Sequence, residues 1–216
     1  MDRTTHWDAV YDSKSDAELS WFQQEPALSL QLIREACPPP ARVVDVGGGT
    51  SVLVDRLLDA GYRAAVLDVS DAALRRVKSR VGDRAAGVQW VVGDVTELAD
   101  IGRFDLWHDR AVFHFLTDAA DRRRYVDLAF RTVSPGGHVV IGAFAPDAPP
   151  RCSGLEVRRY DAEALATEFG DRFRFVRDLT ETHVTPWGTR QPFTYVVLRA
   201  DAREPARSHA PPRSAG

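Results

Sequence analysis

The sequence predicts an α/β fold, built on one doubly wound and mostly parallel sheet. Three observations carry this. Short apolar runs alternate with amphipathic runs through the middle of the chain, as crossover units on a sheet covered on both faces require. A glycine turn, Gly47-Gly48-Gly49, breaks the first such run from the segment after it. Two late apolar runs flank "PWGTRQP", as an antiparallel hairpin does.

The elements follow in order. Residues 1–24 carry Trp7, Tyr11, Trp21 and Phe22 among polar neighbours and read as a short helical or irregular lid. Residues 25–36 place Leu28, Leu32 and Ile33 at helical spacing, and "CPPPA" stops that helix. Strands are expected at 42–46, 64–67, 88–92, 104–108 and 138–144, with helices at 51–60, 71–81 and 118–133. "SPGG" at 134–137 is expected to end the last helix and turn the chain into its strand. Residues 145–160 are too rich in proline and glycine for a regular element and form a long lid loop. "DAEALATEF" is a short helix capped by Asp161. The hairpin strands cover 175–185 and 193–199. The tail from 201 to 216 has no apolar periodicity and is expected to be disordered. Residues 1–200 are thus expected to form a single domain.

With 216 residues, 44% of them hydrophobic, the chain can bury a sizeable core. A net charge of −3 gives no strong attraction to nucleic acid or acidic membranes. No apolar run approaches the ~20 residues of a membrane span. The polar and aromatic start is not a secretory signal. Two cysteines, Cys37 and Cys152, make no disulfide framework and suit a reducing cytoplasm. The expected assembly is a monomer or homodimer, with neither nucleic acid nor membrane as a partner.

The chemistry gathers at strand ends. Beside the glycine turn stand Asp45, in the first strand, Asp68, 23 residues later at the end of the second, and Asp94, 26 further on at the end of the third. That spacing puts three carboxylates on one edge of the sheet, where open α/β folds bind ligands. Each acid alone is also a possible helix N-cap. A carboxylate at the second position can accept both hydroxyls of a ribose, and one at the third an exocyclic adenine amine. A dinucleotide fits less well, because Val52 stands where the third glycine of G-x-G-x-x-G belongs and Asp45 would face phosphate. A cationic ligand removes that conflict.

At these residues the chain resembles the class I S-adenosylmethionine-dependent methyltransferases. The matching pieces are "VVDVGGGTS", "VLDVS", "VVGDVTEL", "FDLWHDRAVFHFL" and "SPGGHVVIGAF", over residues 40–145. The resemblance implies a Rossmann-like methyltransferase fold, a seven-stranded sheet closed by an antiparallel C-terminal strand, and S-adenosyl-L-methionine as cofactor. It implies Gly47, Gly48 and Gly49 beneath the methionine moiety and ribose, and Asp45 near the ammonium. Asp68 would hold the ribose, Val69 pack on adenine, Asp94 and Val95 read its edge, and His108 contact the methionine part. Ser51 stands where the family's first motif usually ends in glycine.

On the acceptor side, strand alternation puts His108 with Leu106 on one face and Asp109 with Trp107 on the other. His108, Asp109, His114 and His183 are the candidate catalytic residues, as proton acceptors or as groups that orient the acceptor. His114 is equally well read as a packed residue, His183 as a surface histidine, and Asp109 with Arg110 as a local ion pair. Trp21, with His6, Trp7 and Phe22, suits a lid over the cofactor, since aromatic faces attract a sulfonium. No spacing motif for a metal is present. The function expected is methyl transfer to a small-molecule acceptor. A protein-lysine or other macromolecular methyltransferase, and a non-catalytic binding protein, stand as alternatives.

Overall fold

The computed structural model describes residues 2–201. Its strands are β1 (Arg42–Val46), β2 (Arg63–Asp68), β3 (Gln89–Val92), β4 (Phe104–Arg110), β5 (Val133–Phe144), β6 (Arg151–Cys152), β7 (Leu155–Glu156), β8 (Phe173–Val184) and β9 (Arg190–Ala200). Seven of them form one sheet in the order β3-β2-β1-β4-β5-β9-β8. The pairs from β3 to β5 are parallel, while β9 pairs antiparallel with both β5 and β8. A single strand therefore runs against the other six. The chain winds outward from β1 to β3, then restarts at β4 on the other side of β1. Such a reversal opens a crevice at the carboxyl ends of the two strands.

The helices are α1 (Arg3–Ser13), α2 (Ala27–Ala36), α3 (Leu53–Asp59), α4 (Asp71–Val81), α5 (Ala119–Thr132) and α6 (Ala162–Phe169). Alternation along the strands sorts the core into two layers. Val43, Val66, Leu106 and Val140 pack with Ile33 of α2, Leu57 of α3 and Leu74 of α4. Val44, Leu67, Trp107 and Ile141 pack with Tyr125 of α5 and Leu165 of α6. Hence Asp45 and His108 lie on the α2 side, and Asp109 on the α5 side. A third, smaller cluster joins Tyr11, Leu19 and Ala73, with Trp7, Trp21 and Phe22 against it. It seats the N-terminal segment over the start of α4. Asp2 caps α1 by accepting from the Thr5 amide at 2.8 Å.

Two expectations are corrected here. Residues 134–137 do not separate a helix from a strand, because they lie inside β5. Phe104 pairs with Val133 but Leu106 with His138, so the extra residues form a bulge. Gly137 is required there, since a Cβ would sit 2.7 Å from the Asp105 carbonyl oxygen. The second correction concerns the lid loop, which contains the small β6–β7 hairpin. Its turn residues Ser153 and Gly154 both take positive φ, 50° and 81°, as a tight two-residue turn demands. The expected tail falls outside the described residues from 202 onward. Among the described residues, no helix is long and apolar enough to cross a membrane.

Candidate active site

Two adjoining clefts open at the carboxyl ends of the parallel strands. The larger encloses about 770 Å³ with its mouth, lined by Asp68, Val69, Asp94, Val95 and the aromatic residues Trp7 and Trp21, among others. The smaller encloses about 520 Å³ and is lined by Asp45, His108, Ser29 and Gly48, among others. Trp21, Gly47 and Arg110 border both.

The glycine turn is held in place by the chain itself. Gly47 and Gly49 take φ of 66° and 47°, which disfavours any side chain. A Cβ on Gly47 would meet Val112 at 1.9 Å, one on Gly48 would meet Val66 at 2.5 Å, and one on Gly49 would meet the Tyr11 hydroxyl at 2.1 Å. The bare backbone therefore already serves the fold, and Tyr11 of α1 covers the last of the three glycines.

Asp45 and His108 face each other in register on β1 and β4. His108 Nδ1 lies 2.7 Å from Asp45 Oδ1, and its Nε2 lies 2.9 Å from the Ser29 hydroxyl of α2. All three are buried. The chain of contacts fixes the imidazole and aims the carboxylate along the floor of the smaller cleft. Asp68 accepts from the amides of Gly49 and Ser70, both at 2.8 Å. Burial pushes its pKa up to about 6, with those backbone bonds pulling the other way. It is therefore still ionised at neutral pH, and each oxygen keeps a lone pair.

Asp94 lines the larger cleft, where its carboxylate is also engaged by the chain itself. Arg3 Nη1 donates to both its oxygens, at 2.8 and 3.2 Å, and to Thr96 Oγ1 at 2.9 Å. Arg3 Nη2 pairs with Asp121 at the start of α5. Burial raises the Asp94 pKa, but the bonds from Thr96 and Arg3 outweigh it and leave the pKa lowered. Arg3 thus ties α1 across the end of β3.

Three of the four catalytic candidates do not line either cleft. Asp109 is fully enclosed on the α5 side, accepting from Tyr125 Oη at 2.5 Å and from the amides of Val112 and Phe113 at 2.8 and 3.1 Å. It braces the turn after β4, and its expected ion pair with Arg110 does not form. His114 is fully buried in a 3₁₀ turn among Phe115, Phe144 and Phe193, and accepts from the Phe144 amide. Burial, then the charge of Arg110, drive its pKa down to about 3, so it is a neutral packing residue. His183 is buried too, its Nε2 donating to the Ser20 carbonyl at 2.7 Å and tying β8 to the N-terminal segment. Only His108 remains at a cleft wall. Cys152 lines the larger cleft as a buried thiol whose pKa burial pushes up.

Sequence reasoning missed Ser29, Arg3 and the true partners of Arg110. Ser29 had a signal, since it lies one helical turn before Ile33 on the buried stripe. Arg3 had none, because its partner is 91 residues away.

A family model described as "Methyltransferase domain" matches residues 44–141. Nodulation protein S of Rhizobium tropici is 30% identical over 122 residues, covering 56% of this chain and 51% of that protein. The ubiquinone/menaquinone biosynthesis C-methyltransferase UbiE of Methylobacterium nodulans is 32% identical over 171 residues, covering 73% of this chain and 65% of that one. The matched region is thus about half the length of the first relative and under two thirds of the second. The crystal structure of the N-methyltransferase NodS from Bradyrhizobium japonicum, in complex with S-adenosyl-L-homocysteine, superposes with a TM-score of 0.70 at 18% identity, covering 92% of this chain and 99% of that one. At that identity the superposition speaks for the fold, and the sequence matches speak for the lineage. With this strand order around this glycine turn, the chain has the fold of the class I S-adenosylmethionine-dependent methyltransferases and is similar in sequence to methyltransferases over its central residues.

Proposed function

We propose that the chain transfers a methyl group from S-adenosylmethionine to a small-molecule acceptor. One observation carries the reading. Asp45 and Asp68, from neighbouring strand ends, meet beside the glycine turn on the walls of two joined clefts. Anions so placed suit a ligand with an ammonium, a sulfonium and a ribose. S-adenosylmethionine supplies a methyl carbon already activated by its sulfonium, so the protein has to align, desolvate and, for a protonated acceptor, remove a proton.

The residues divide that work. Asp68 would hold the ribose hydroxyls on its remaining lone pairs. Asp45, kept in one orientation by His108 and through it by Ser29, would face the cationic end. Val69 and Val95 would form apolar walls for the base. The purine amine would have to share Asp94 with Arg3 or displace it. Trp7 and Trp21, packed edge to face with centroids 5.6 Å apart, would cover the site and present aromatic surface to the cation. Among the described residues His108 is the one imidazole lining the clefts, and we assign it to orientation of Asp45 and of the bound methionine part. The covering N-terminal segment and Cys152 supports a small acceptor over a macromolecule.

Titration calorimetry with S-adenosylhomocysteine, followed by a methyl-release assay over a panel of small acceptors, tests the proposal. Saturable one-to-one binding is expected, weakened by about 2 kcal/mol in Asp68→Ala, as for loss of a charged hydrogen-bonding group. Absence of binding would remove the proposal, and binding with no turnover on any acceptor would favour a non-catalytic role.

A further inference from the structure

Arg110 is the last residue of β4 and borders both clefts. Its guanidinium is used only in part. Nε donates to the Tyr195 hydroxyl at 3.2 Å, Nη1 donates to the Trp21 carbonyl at 3.0 Å, and the group stacks over the Phe193 ring at 4.8 Å. Nη2 is buried and has no hydrogen-bond partner. Among the described residues no carboxylate comes within ion-pair distance of it. The nearest acid in its network, Glu181, is reached through Tyr195, whose hydroxyl donates to Glu181 at 3.0 Å. A buried guanidinium nitrogen left without a partner is costly, and such groups in native folds call for an explanation.

The backbone beside it is also unusual. The next residue, Ala111, takes a φ of 77°, a left-handed conformation unfavourable for a non-glycine residue. That turn ends the strand directly after Arg110 and sends Val112 back against Gly47. Strain of this kind concentrates where a fold positions a functional group.

We propose that Arg110 is the anchor for a carboxylate on the methyl acceptor. The inference rests on the reading of the site as a methyltransferase and adds the chemical class of its acceptor. Two features select that class. Nη2 keeps both of its N–H donors and Nη1 keeps one, a free edge that suits the paired oxygens of a singly charged carboxylate. The neighbouring wall of the larger cleft is apolar and aromatic, with Trp7, Trp21, Val112 and Phe115. The acceptor therefore has a flat apolar body and one acidic group. Position separates this anchor from the cofactor. The carboxylates assigned to the cofactor stand on β1 and β2, whereas Arg110 leans the other way, onto Phe193 and Tyr195 of β9.

The test is a pairwise titration of the S-adenosylhomocysteine-loaded protein with benzoate, phenylacetate and indole-3-acetate, each set against its carboxamide. The wild type is expected to bind at least one acid about tenfold more tightly than its amide, as a charge-assisted bond implies. Arg110→Gln should abolish that preference and leave S-adenosylhomocysteine affinity within about twofold, well short of the tenfold that one strong contact is worth. Arg110→Lys, which keeps the charge, should retain part of the preference and serves as the second variant should the first fail to fold. Equal affinity for acid and amide, no binding of any acid, or a preference that survives Arg110→Gln would overturn the proposal. So would a large loss of S-adenosylhomocysteine affinity in Arg110→Gln, which would assign the arginine to the cofactor's own carboxylate. If the wild type bound no S-adenosylhomocysteine, the methyltransferase reading would fail by itself, and the acid and amide comparison on the free protein would still decide the role of Arg110.

Discussion

Asp45 and Asp109 sit on neighbouring strands, one register position apart, and are almost equally buried. They belong to opposite faces of the sheet and have different surroundings. Asp109 is sealed: Tyr125 and two backbone amides use it, and Trp107 Nε1 completes the group by donating to Tyr125 Oη at 2.8 Å. Asp45 has a similar degree of order through His108 and Ser29, but open space lies beside it. Burial and hydrogen bonding alone therefore do not mark a functional acid in this molecule. What separates the two is whether a ligand can reach the network.

The comparison breaks most visibly on stability. Asp109→Ala leaves the Tyr125 hydroxyl and the Val112 and Phe113 amides without their acceptor, and should cost about 3 kcal/mol in urea unfolding. Asp45→Asn, which keeps a hydrogen-bonding group beside His108, should cost about 1 kcal/mol or less. The reverse order would show that the sealed and open sites have been confused.

The two histidines sharpen it through pH. His114 has its pKa lowered from 6.5 to about 3 by burial and by Arg110, so the unfolded chain takes up that proton first as pH falls. Its contribution to stability is complete above 6.5 and is lost progressively toward 3. Between pH 7 and 5 the wild type should lose about 2 kcal/mol from this group, a loss absent in His114→Gln. Asp68 and Asp109 act in the opposite sense, because their pKa values rise from 3.8 to about 6 and the folded state takes up their protons first. The difference between wild type and variant isolates His114. An identical pH slope in both would mean that this histidine is not held neutral.

On the open side, His108→Gln should lower turnover about tenfold, near 1.4 kcal/mol in the barrier, while costing less stability than Asp109→Ala. An unaltered rate would remove His108 from the site. The smallest effect belongs to the cover. Arg3→Gln removes two partly exposed ion pairs, with Asp94 and Asp121, and should change stability by under about 1 kcal/mol. It should nevertheless speed amide exchange in α1, and an unchanged exchange rate would deny Arg3 its role as a tie.

Much of this was legible in the sequence. Local periodicity located β1 to β4 to within a residue or two and α4 at both ends, because burial imposes its repeat on the residues, whereas β5 starts five residues before the expected 138. The cap at Asp161 was equally local, and its side chain does accept from the Ala164 amide. Strand alternation also put His108 and Asp109 on opposite faces. It could not say which face was closed, since that depends on Tyr125 arriving from α5. The bulge at 134–137 looked like a helix stop because glycine and proline serve both purposes. Arg110 beside Asp109 read as an ion pair from adjacency, but consecutive residues on a strand point apart, and its partners come from β9 and the N-terminal segment.

The central claim is that the carboxyl edge of β1, β2 and β3 holds the adenosyl ligand. Hydrogen–deuterium exchange with and without S-adenosylhomocysteine tests it most directly. The account predicts added protection at the amides of 47–51, 68–70 and 93–96 and at α1, with little change in β8. Protection confined to other parts of the chain, or none at saturating ligand, would contradict it.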